Sequence, residues 1–558
     1  MNAIVLLVIG LATFIAGWTF YSRFLAEKIY QLDPDFETPA HEFEDGVDYV
    51  PSRKIILWGH HFAAVAGAAP IVGPAIAVVW GWLPAFLWVT IGTVFFAGVH
   101  DFGALWASVR NRGLSVGALT ENIVGKRARS IFMIVIFLLL LMVNAVFAVI
   151  IAEEHIAVPG SVIPTWAVIF VAMIVGVLIY KKGMSLLWVT IIGVGVLYGA
   201  IIVGDMYPLS LPETMFGLAA PAQWVIILFV YAGIASILPV WLLLQPRDYI
   251  NGIQLFIGLA LLYTAVLIAH PTIVAPAINP NPPANAPPMI PLLFVTIACG
   301  AISGFHGLVA SGTTSKQLDK ETDARFVGYL GSTGEGTLAL AAIIACTAGF
   351  ASLGDWDAFY SQPFPAAGLT AWAQGGAAIM ENGLGLPAGL AETLLAVMGI
   401  LFAATTMDAG VRLQRFIIQE FGNIYNIPAL TGRGVSTLVA VGSCLLLAFG
   451  AGGGGGGGRI IWPLFGTSNQ LLAGLTLIVI TVYLIKLGRP IKWTVIPLTF
   501  LLAMTVPALV LQLIDFYQQG NWLLVVMDVL ILVASILVAL EALAALARAK
   551  REAAAKAA

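Results

Sequence analysis

The chain has 558 residues, of which 60% are hydrophobic and only 10% are charged, and its formal net charge at pH 7 is −3. A soluble protein averages about 25% charged residues, so this composition excludes a soluble domain of any size. No basic patch is large enough to indicate nucleic acid as a partner. The three cysteines stand singly in apolar runs and predict neither a disulfide framework nor a zinc site.

Apolar runs long enough to cross a bilayer as helices recur along the whole chain. The first, from Ala3 to Phe20, lacks the basic start and cleavage site of a signal peptide, so we expect a retained helix. At roughly 20 residues per crossing, the chain predicts an all-α polytopic membrane protein with about fifteen spans. Their approximate limits are 3–26, 57–80, 84–108, 129–152, 164–180, 184–204, 222–244, 253–270, 291–312, 326–350, 386–410, 434–450, 460–485, 492–513 and 521–546.

Basic residues predict the orientation, because loops rich in Lys and Arg stay in the cytoplasm. With fifteen spans, most basic loops fall on one side, while the opposite loops are acidic or rich in proline. The basic loops hold Arg110, Arg112, Lys126, Arg127, Arg129, Lys181, Lys182, Arg247, Lys316, Lys320, Arg325, Arg412, Arg415, Arg433, Lys486, Arg489 and Lys492. Arg459 is one exception on the opposite side. We therefore predict an external N-terminus and a cytoplasmic C-terminus.

Two predicted spans contain residues that interrupt helices. Span two carries GHHFAAVAGAAPIVGP at 59–74, with two glycines and two prolines between Gly67 and Pro74. Proline removes a backbone donor and glycine loosens a helix, so we favour a break over the alternative of close packing through small residues. Span nine carries the comparable CGAISGFHGLVASGTTSK at 299–316. The two spans run in opposite directions, which is typical of the inverted halves of a secondary transporter with its site near the midplane.

Placing a charged side chain inside a membrane raises the free energy, so each such residue is expected to have a structural or functional role. Glu335 in span ten lies deepest and is flanked by glycines that would let a partner approach, which favours a function. Asp101 in span three lies beside His100, and a bond to that histidine or to a helix terminus is an equal alternative. Asp408 in span eleven can pair with Arg412 one turn along the helix, which would make it structural.

Four histidines, His60, His61, His100 and His306, lie where they can serve a site. An imidazole titrates near neutral pH and suits a proton relay. The alternative is an intramembrane metal- or haem-binding enzyme that uses the same four side chains, although no HExxH motif is present. A channel is a third interpretation.

Several uncharged polar residues also lie inside predicted spans: Asn144, Thr405, Thr406, Asn469 and Gln470. Hydroxyls together with the carbonyls of an unwound helix are ligands that a sodium ion prefers. Ordinary hydrogen bonding between helices is the simpler interpretation, and spacing alone favours it.

Four long motifs resemble a known family. They are DGVDYVPSRKIILWGHHFAAVAGAAPIVGPAIAVVWGWLPAFLW (45–88), SGFHGLVASGTTSKQLDKETDARFVGY (303–329), TTMDAGVRLQRFIIQE (405–420) and WPLFGTSNQLLAGL (462–475). In this order, and over nearly the whole chain, the sequence resembles the carbon starvation protein A family. The resemblance implies a secondary transporter of the bacterial inner membrane that imports peptides or pyruvate, with proton coupling expected.

That family is grouped with the amino-acid–polyamine–organocation transporters, which implies a LeuT-type core of two inverted five-helix repeats. Span two would be core helix one, and span nine core helix six. Thr405 and Thr406 then resemble the hydroxyl pair that holds sodium in sodium-coupled relatives. The implied division is 1–54 (N-terminal helix and loop), 55–204 (first repeat), 205–290 (inserted helix pair), 291–486 (second repeat) and 487–558 (C-terminal helices and basic tail).

The expected site binds a small carboxylate or peptide through the backbone at the two breaks, within membrane lipid and without a cofactor. The predicted substrate-binding residues are Gly67, Ala68, Ala69, Pro70, Gly73, Gly300, Ser303, Gly304 and His306. The predicted coupling residues, for a proton or sodium ion, are Thr405, Thr406, Asp101, Glu335, His60, His61 and Asp408. His60 and His61 are expected nearer an inner gate. Segment 363–385 is predicted to be either an interfacial helix or a re-entrant gate. No role is predicted for the glycine run 452–458.

Overall fold

A computed structural model of the chain describes residues 1–46, 49–239, 241–365, 368–452 and 457–557. These residues are mostly helical, with one antiparallel hairpin of β1 (Thr214–Met215) and β2 (Leu218–Ala219). The helices before the hairpin are α1 (Ala3–Ala16), α2 (Ser22–Phe24), α3 (Pro39–Glu42), α4 (Lys54–Val65), α5 (Ala69–Ala77), α6 (Trp82–Gly92), α7 (Gly98–Val109), α8 (Val116–Ile123), α9 (Lys126–Ala157), α10 (Val162–Tyr180) and α11 (Leu186–Met206). Those after it are α12 (Ala220–Ile237), α13 (Leu244–Ala269), α14 (Met289–Thr296), α15 (Gly304–Gly312), α16 (Leu330–Ala348), α17 (Leu353–Tyr360), α18 (Gly368–Leu384), α19 (Ala388–Ile424), α20 (Arg433–Gly450), α21 (Gly457–Lys486), α22 (Lys492–Gln518) and α23 (Trp522–Ala557).

Short π-helical and 3₁₀ turns extend several of these helices. The π-helical turns are Gly17–Tyr21, Leu25–Ile29, Thr93–Ala97 and Arg325–Tyr329, and the 3₁₀ turns are Val78–Trp80, Pro159–Ser161, Thr314–Lys316 and Pro428–Leu430. With these extensions, 13 helices of the described chain are long and apolar enough to cross a membrane. The bent pair Lys54–Val65 and Ala69–Trp80 raises the number to 14. A polytopic helical protein is thereby confirmed.

Every one of these helices coincides with a predicted span, but the count of about fifteen stays a prediction. The remaining predicted span, 291–312, consists of the two short helices α14 and α15, neither of which is long enough to cross alone. A total of fifteen would require that this pair cross the membrane as one unit.

Burial separates an inner layer of helices from an outer one. The most apolar stretches of α9, α19 and α21 are 89–94% buried, whereas that of α11 is 22% buried at a comparable hydropathy. Hydropathy therefore identifies the helices that cross the membrane but does not separate inner from outer ones. Small residues permit the close packing of the inner helices. At Gly349, for example, an added Cβ would lie 2.1 Å from the carbonyl oxygen of Gly375 in α18.

The first interrupted helix is confirmed, although its break is narrower than the predicted Gly67–Pro74 interval. Helix α4 ends at Val65, α5 begins at Ala69, and the two are bent by 48°. The prediction was wrong for Gly73 and Pro74, which lie inside α5. Pro70 stands in the first turn of α5, where a missing N–H costs nothing, so it begins the second half-helix instead of ending the first.

The second interruption leaves residues 297–303 without regular helix between α14 and α15. Gly300 has φ of +90°, a backbone conformation that glycine adopts without strain. The two interruptions lie side by side: a Cβ at Gly73 would lie 2.7 Å from the carbonyl oxygen of Thr296, and one at Gly300 would lie 3.5 Å from Pro70 Cα. The two broken spans predicted from sequence therefore meet in the folded chain.

The segment predicted as 363–385 forms α18 from Gly368 onward, and residues 366–367 lie outside the described residues. Helix α18 packs against α13, α16 and α19 and buries most of its length, so it is not a helix lying on the protein surface. Of the glycine run, residues 453–456 also lie outside the described residues.

Candidate functional site

A small cavity lies between the two interrupted helices. Both second half-helices, α5 and α15, begin beside it, and the N-terminus of a helix carries unpaired N–H groups and a partial positive charge. Apart from Thr406 and Asn469 the lining is mainly apolar, and no charged side chain of the described residues belongs to it. The lining residues are Val65, Gly67, Ala69, Pro70, Leu139, Val143, Phe147, Cys299, Phe305, Thr406, Phe465 and Asn469.

Asn469 of α21 holds the second break in place. Its Oδ1 accepts a hydrogen bond from the Phe305 N–H at 3.0 Å, while its Nδ2 donates to Ser303 Oγ at 2.9 Å and to Cys299 Sγ at 3.1 Å. The Ser303 side chain does not cap α15 itself, so the amide of Asn469 performs that function from a neighbouring helix. Gly304 permits this approach, because an added Cβ would lie 2.5 Å from the Asn469 carbonyl oxygen.

Replacing Asn469 by leucine is expected to destabilise the protein by about 1–3 kcal/mol, because the buried donors and acceptors at Phe305 and Ser303 would lose their partner. Ser468→Ala is the matched control, since among the described residues the Ser468 hydroxyl bonds only to Leu464 O of its own helix, at 2.7 Å. Thermal unfolding in detergent measures both variants. Equal losses would contradict the capping role.

A buried ionisable network, formed by His100, Asp101, His306 and Glu335, lies at the start of α15. Asp101 Oδ1 accepts from His100 Nδ1 at 2.7 Å, and Asp101 Oδ2 accepts from His306 Nδ1 at 2.8 Å. The other ring nitrogen of His306, Nε2, lies 3.2 Å from Glu335 Oε2. The exposed fraction of all four side chains is 0–1%.

This geometry suits a proton-binding site. Each nitrogen of the His306 ring faces a carboxylate, so the imidazole with both nitrogens protonated is paired on two sides. Loss of a proton would leave one nitrogen without a hydrogen next to a buried carboxylate. A change of protonation there would alter the contacts among α7, α15 and α16, of which α15 also borders the cavity.

The glycines on either side of Glu335 make room for neighbouring helices, not for His306, which is the partner of Glu335. A Cβ at Gly334 would lie 2.6 Å from the Phe62 ring, and one at Gly336 would lie 2.6 Å from Thr93 Oγ1. They let α4 and the turn after α6 pack closely against α16. His306 reaches Glu335 from α15.

Thr405 and Thr406 face different neighbours. Thr406 lines the cavity, and a Cβ at Gly67 would lie 2.7 Å from its Oγ1. Thr405 instead accepts a hydrogen bond from Asn251 Nδ2 of α13 at 2.9 Å. Only Thr406 therefore contacts the first break.

Asp408 does not pair with Arg412, and that prediction was wrong. Its carboxylate forms an ion pair with Arg247 and accepts from Tyr231 Oη at 2.8 Å. Arg412 donates instead to the carbonyl oxygens at the end of α12. The placement of Arg247 in a loop was also wrong: it lies in the first turn of α13 and is 2% exposed. Arg412, one turn along the helix, has the right charge, but packing brings Arg247 of another helix to the carboxylate instead.

The remaining predicted histidines form no hydrogen bond with the network among the described residues, although His61 lies near enough to Asp101 and His306 to interact with them electrostatically. His61 is buried, and its Nδ1 lies 2.9 Å from Thr314 Oγ1 at the far end of α15. His60 is only partly buried. Across the described ranges, no group of three His, Cys, Asp or Glu side chains has the geometry to hold a metal ion, so the metalloenzyme alternative gains no support.

Comparison with known proteins identifies the family. The model for the carbon starvation protein CstA family matches residues 2–353 and 360–508. The chain belongs to this family. A relative from Mycobacterium tuberculosis named peptide transporter CstA is 36% identical over 566 residues, covering 89% of this chain and 73% of its own. The Escherichia coli family member named pyruvate/proton symporter BtsT is 31% identical over 608 residues, covering 93% and 83%.

Solved structures show the same fold at low sequence identity. A manganese transporter of Eremococcus coleocola aligns over 91% of this CstA-family chain and 99% of its own, with a TM-score of 0.51 and 15% identity. This likeness concerns the fold alone.

Sequence reasoning missed two elements of the site. Asn469 was predicted only as a polar residue between helices, although its position in a long apolar span opposite an interrupted one was a usable signal. Arg247 was predicted in a loop because polar residues surround it, and nothing in the sequence identifies Asp408 as its partner.

Proposed function

We propose that this CstA-family protein is a secondary transporter of the bacterial inner membrane that imports pyruvate or small peptides by proton-coupled alternating access. The observation that carries the proposal is the placement of two half-helix N-termini on one cavity, beside a buried His–carboxylate network. In the proposed topology the two interrupted helices belong to inverted repeats of a LeuT-type core, and the N-terminus is external.

The cavity supports a small anion as substrate. Within the described part of the chain, no backbone carbonyl accepts a hydrogen bond from the N–H groups of Gly67, Ala68 or Ala69. Unpaired N–H groups at a helix N-terminus bind carboxylates well, and half-helix ends bind anionic substrate groups in transporters of this design. Pyruvate, or the carboxyl end of a peptide, fits that chemistry.

The network supports the proton as the coupling ion. His306 is the third residue of α15, and Phe305 beside it lines the cavity, so a change of protonation at His306 acts on the wall of the substrate site. One relative is itself named a pyruvate/proton symporter. We propose that Asp101, His306 and Glu335 carry the proton.

Uptake by purified protein in liposomes tests the proposal. Labelled pyruvate and alanyl-alanine are offered separately, with a pH gradient or a sodium gradient imposed in separate experiments. We expect accumulation driven by the pH gradient. Absence of gradient-driven uptake of either substrate would refute the function.

Sodium is the second candidate for the coupling ion, because Thr406 adjoins the backbone of the first break. If protons alone drive uptake, Thr406→Val should keep the dependence on the pH gradient. If sodium binds at Thr406, the variant should lose sodium-stimulated uptake, whereas Thr405→Val should lose less because the Thr405 hydroxyl faces Asn251. Uptake at varied sodium concentration and fixed pH separates the two.

A further inference from the structure

A second small cavity lies at the C-terminal end of α9. Val72 and Ile76 of α5 line it, whereas Ala69 and Pro70 of the same half-helix line the central cavity. At 1.5 Å per residue, Pro70 and Ile76 are separated by about 9 Å along the helix axis. The second cavity therefore lies along the same half-helix as the central one, toward the side predicted to be external. We call it the outer cavity.

Arg459 supplies the positive charge of the outer cavity. Its Nε donates to Glu153 Oε2 at 2.8 Å, and the two side chains are 41% and 26% exposed. The pair is partly open to solvent, where ion pairs contribute far less than fully buried ones, so another carboxylate can replace Glu153. Arg459 is also the basic residue that the orientation rule leaves unexplained.

Glu154 supplies a buried carboxylate to the outer cavity. Its side chain is 1% exposed, and its Oε2 accepts from Thr370 Oγ1 at 2.9 Å. Its Oε1 is buried and has no hydrogen-bond partner among the described residues. A buried carboxylate oxygen without a partner is unfavourable, and a ligand that donates hydrogen bonds would satisfy it. Arg459 is already engaged by the neighbouring Glu153.

We propose that the outer cavity is a recognition site for small zwitterions, namely amino acids or short peptides. The ligand's carboxylate binds Arg459 in place of Glu153, and its ammonium group binds Glu154. The inference rests on the proposed function for the direction of transport and refines its substrate class. Pyruvate has no ammonium group, so it can use only the Arg459 half of the site.

Glu154→Gln tests the ammonium half. Glutamine keeps an acceptor for Thr370 but removes the negative charge. We expect the KM for alanyl-alanine uptake to rise roughly tenfold or more, in line with the loss of a charged hydrogen bond, and the KM for pyruvate to stay unchanged. Glu381→Gln is the matched control, because Glu381 is an exposed carboxylate of α18 outside the cavity lining. Arg459→Gln should raise the KM for both substrates.

The outcomes separate this inference from the proposed function. Equal effects of Glu154→Gln on both substrates, or no effect on either, would overturn the zwitterion site. Wild-type uptake of pyruvate without any uptake of alanyl-alanine or alanine would also overturn it, while the proposed function would stand. If the wild type transports neither, calorimetric titration of the purified variants with alanyl-alanine still decides: binding that requires Glu154 supports the site, and absence of binding refutes it.

Discussion

Replacement of Glu335 by glutamine is expected to abolish uphill uptake while substrate exchange across the membrane continues. Glutamine has the shape of a protonated glutamic acid but cannot release a proton. Because Glu335 Oε2 lies 3.2 Å from His306 Nε2, the variant would keep the side chain that faces His306 permanently neutral. We expect the pH gradient to drive no accumulation in the variant, so that the internal substrate concentration only equilibrates with the external one.

Two assays on the same liposomes measure this expectation. Accumulation under an imposed pH gradient reports coupling, and counterflow of labelled against unlabelled substrate reports binding and alternating access without net proton movement. Glu381→Gln again serves as the exposed-carboxylate control. Accumulation at the wild-type level, or equal loss of accumulation and counterflow, would show that Glu335 does not carry the coupling proton.

Composition and periodicity predict most of this fold, because each crossing needs about 20 apolar residues whatever surrounds it. The prediction of 129–152 lies within α9, which extends from Lys126 to Ala157. The prediction of 253–270 began too late, since α13 starts at Leu244. The first turn of α13 contains Arg247. A hydropathy scale gives the charged residue of a buried ion pair the same low score as a residue of an exposed loop, so the start of the helix was missed.

The prolines predicted that span two is interrupted but could not predict where. A proline ends a helix when it removes a needed hydrogen bond, yet it begins one when it stands in the first turn. Pro70 is in the second situation, and the interruption therefore precedes it. The choice between the two depends on tertiary contacts, such as that of Gly73 with the Thr296 carbonyl, which no local pattern contains.

For the candidate site, the rarity of charged residues in membranes drew attention to Asp101 and Glu335, but it did not predict that the two carboxylates lie on either side of one histidine. His306 was predicted for substrate binding because it follows the second break, and the structure brings it between the two carboxylates. Three helices must assemble before these side chains meet, so sequence separation conceals the network. The same holds for Asp408, whose local partner on α19 was replaced by one from α13.

The largest stability effect is expected from Arg247→Met. The change would leave the carboxylate of Asp408 buried, with Tyr231 Oη as its remaining donor. Removing one member of a buried ion pair costs about 3–5 kcal/mol, because the other charge stays out of water without compensation. Arg23→Met is the matched control: its pair with Glu27 is 68% and 54% exposed, and such pairs contribute about 0.3–0.5 kcal/mol.

The double variant Arg247→Met with Asp408→Leu separates a structural ion pair from a functional one. Replacing both charges by apolar side chains removes the uncompensated carboxylate, so we expect thermal unfolding to return to the wild-type temperature or above it. If the pair only joins α13 to α19, uptake should return together with stability. Recovery of stability without recovery of uptake would instead show that these charges take part in the transport cycle, whereas failure to recover stability would contradict the ion-pair argument itself.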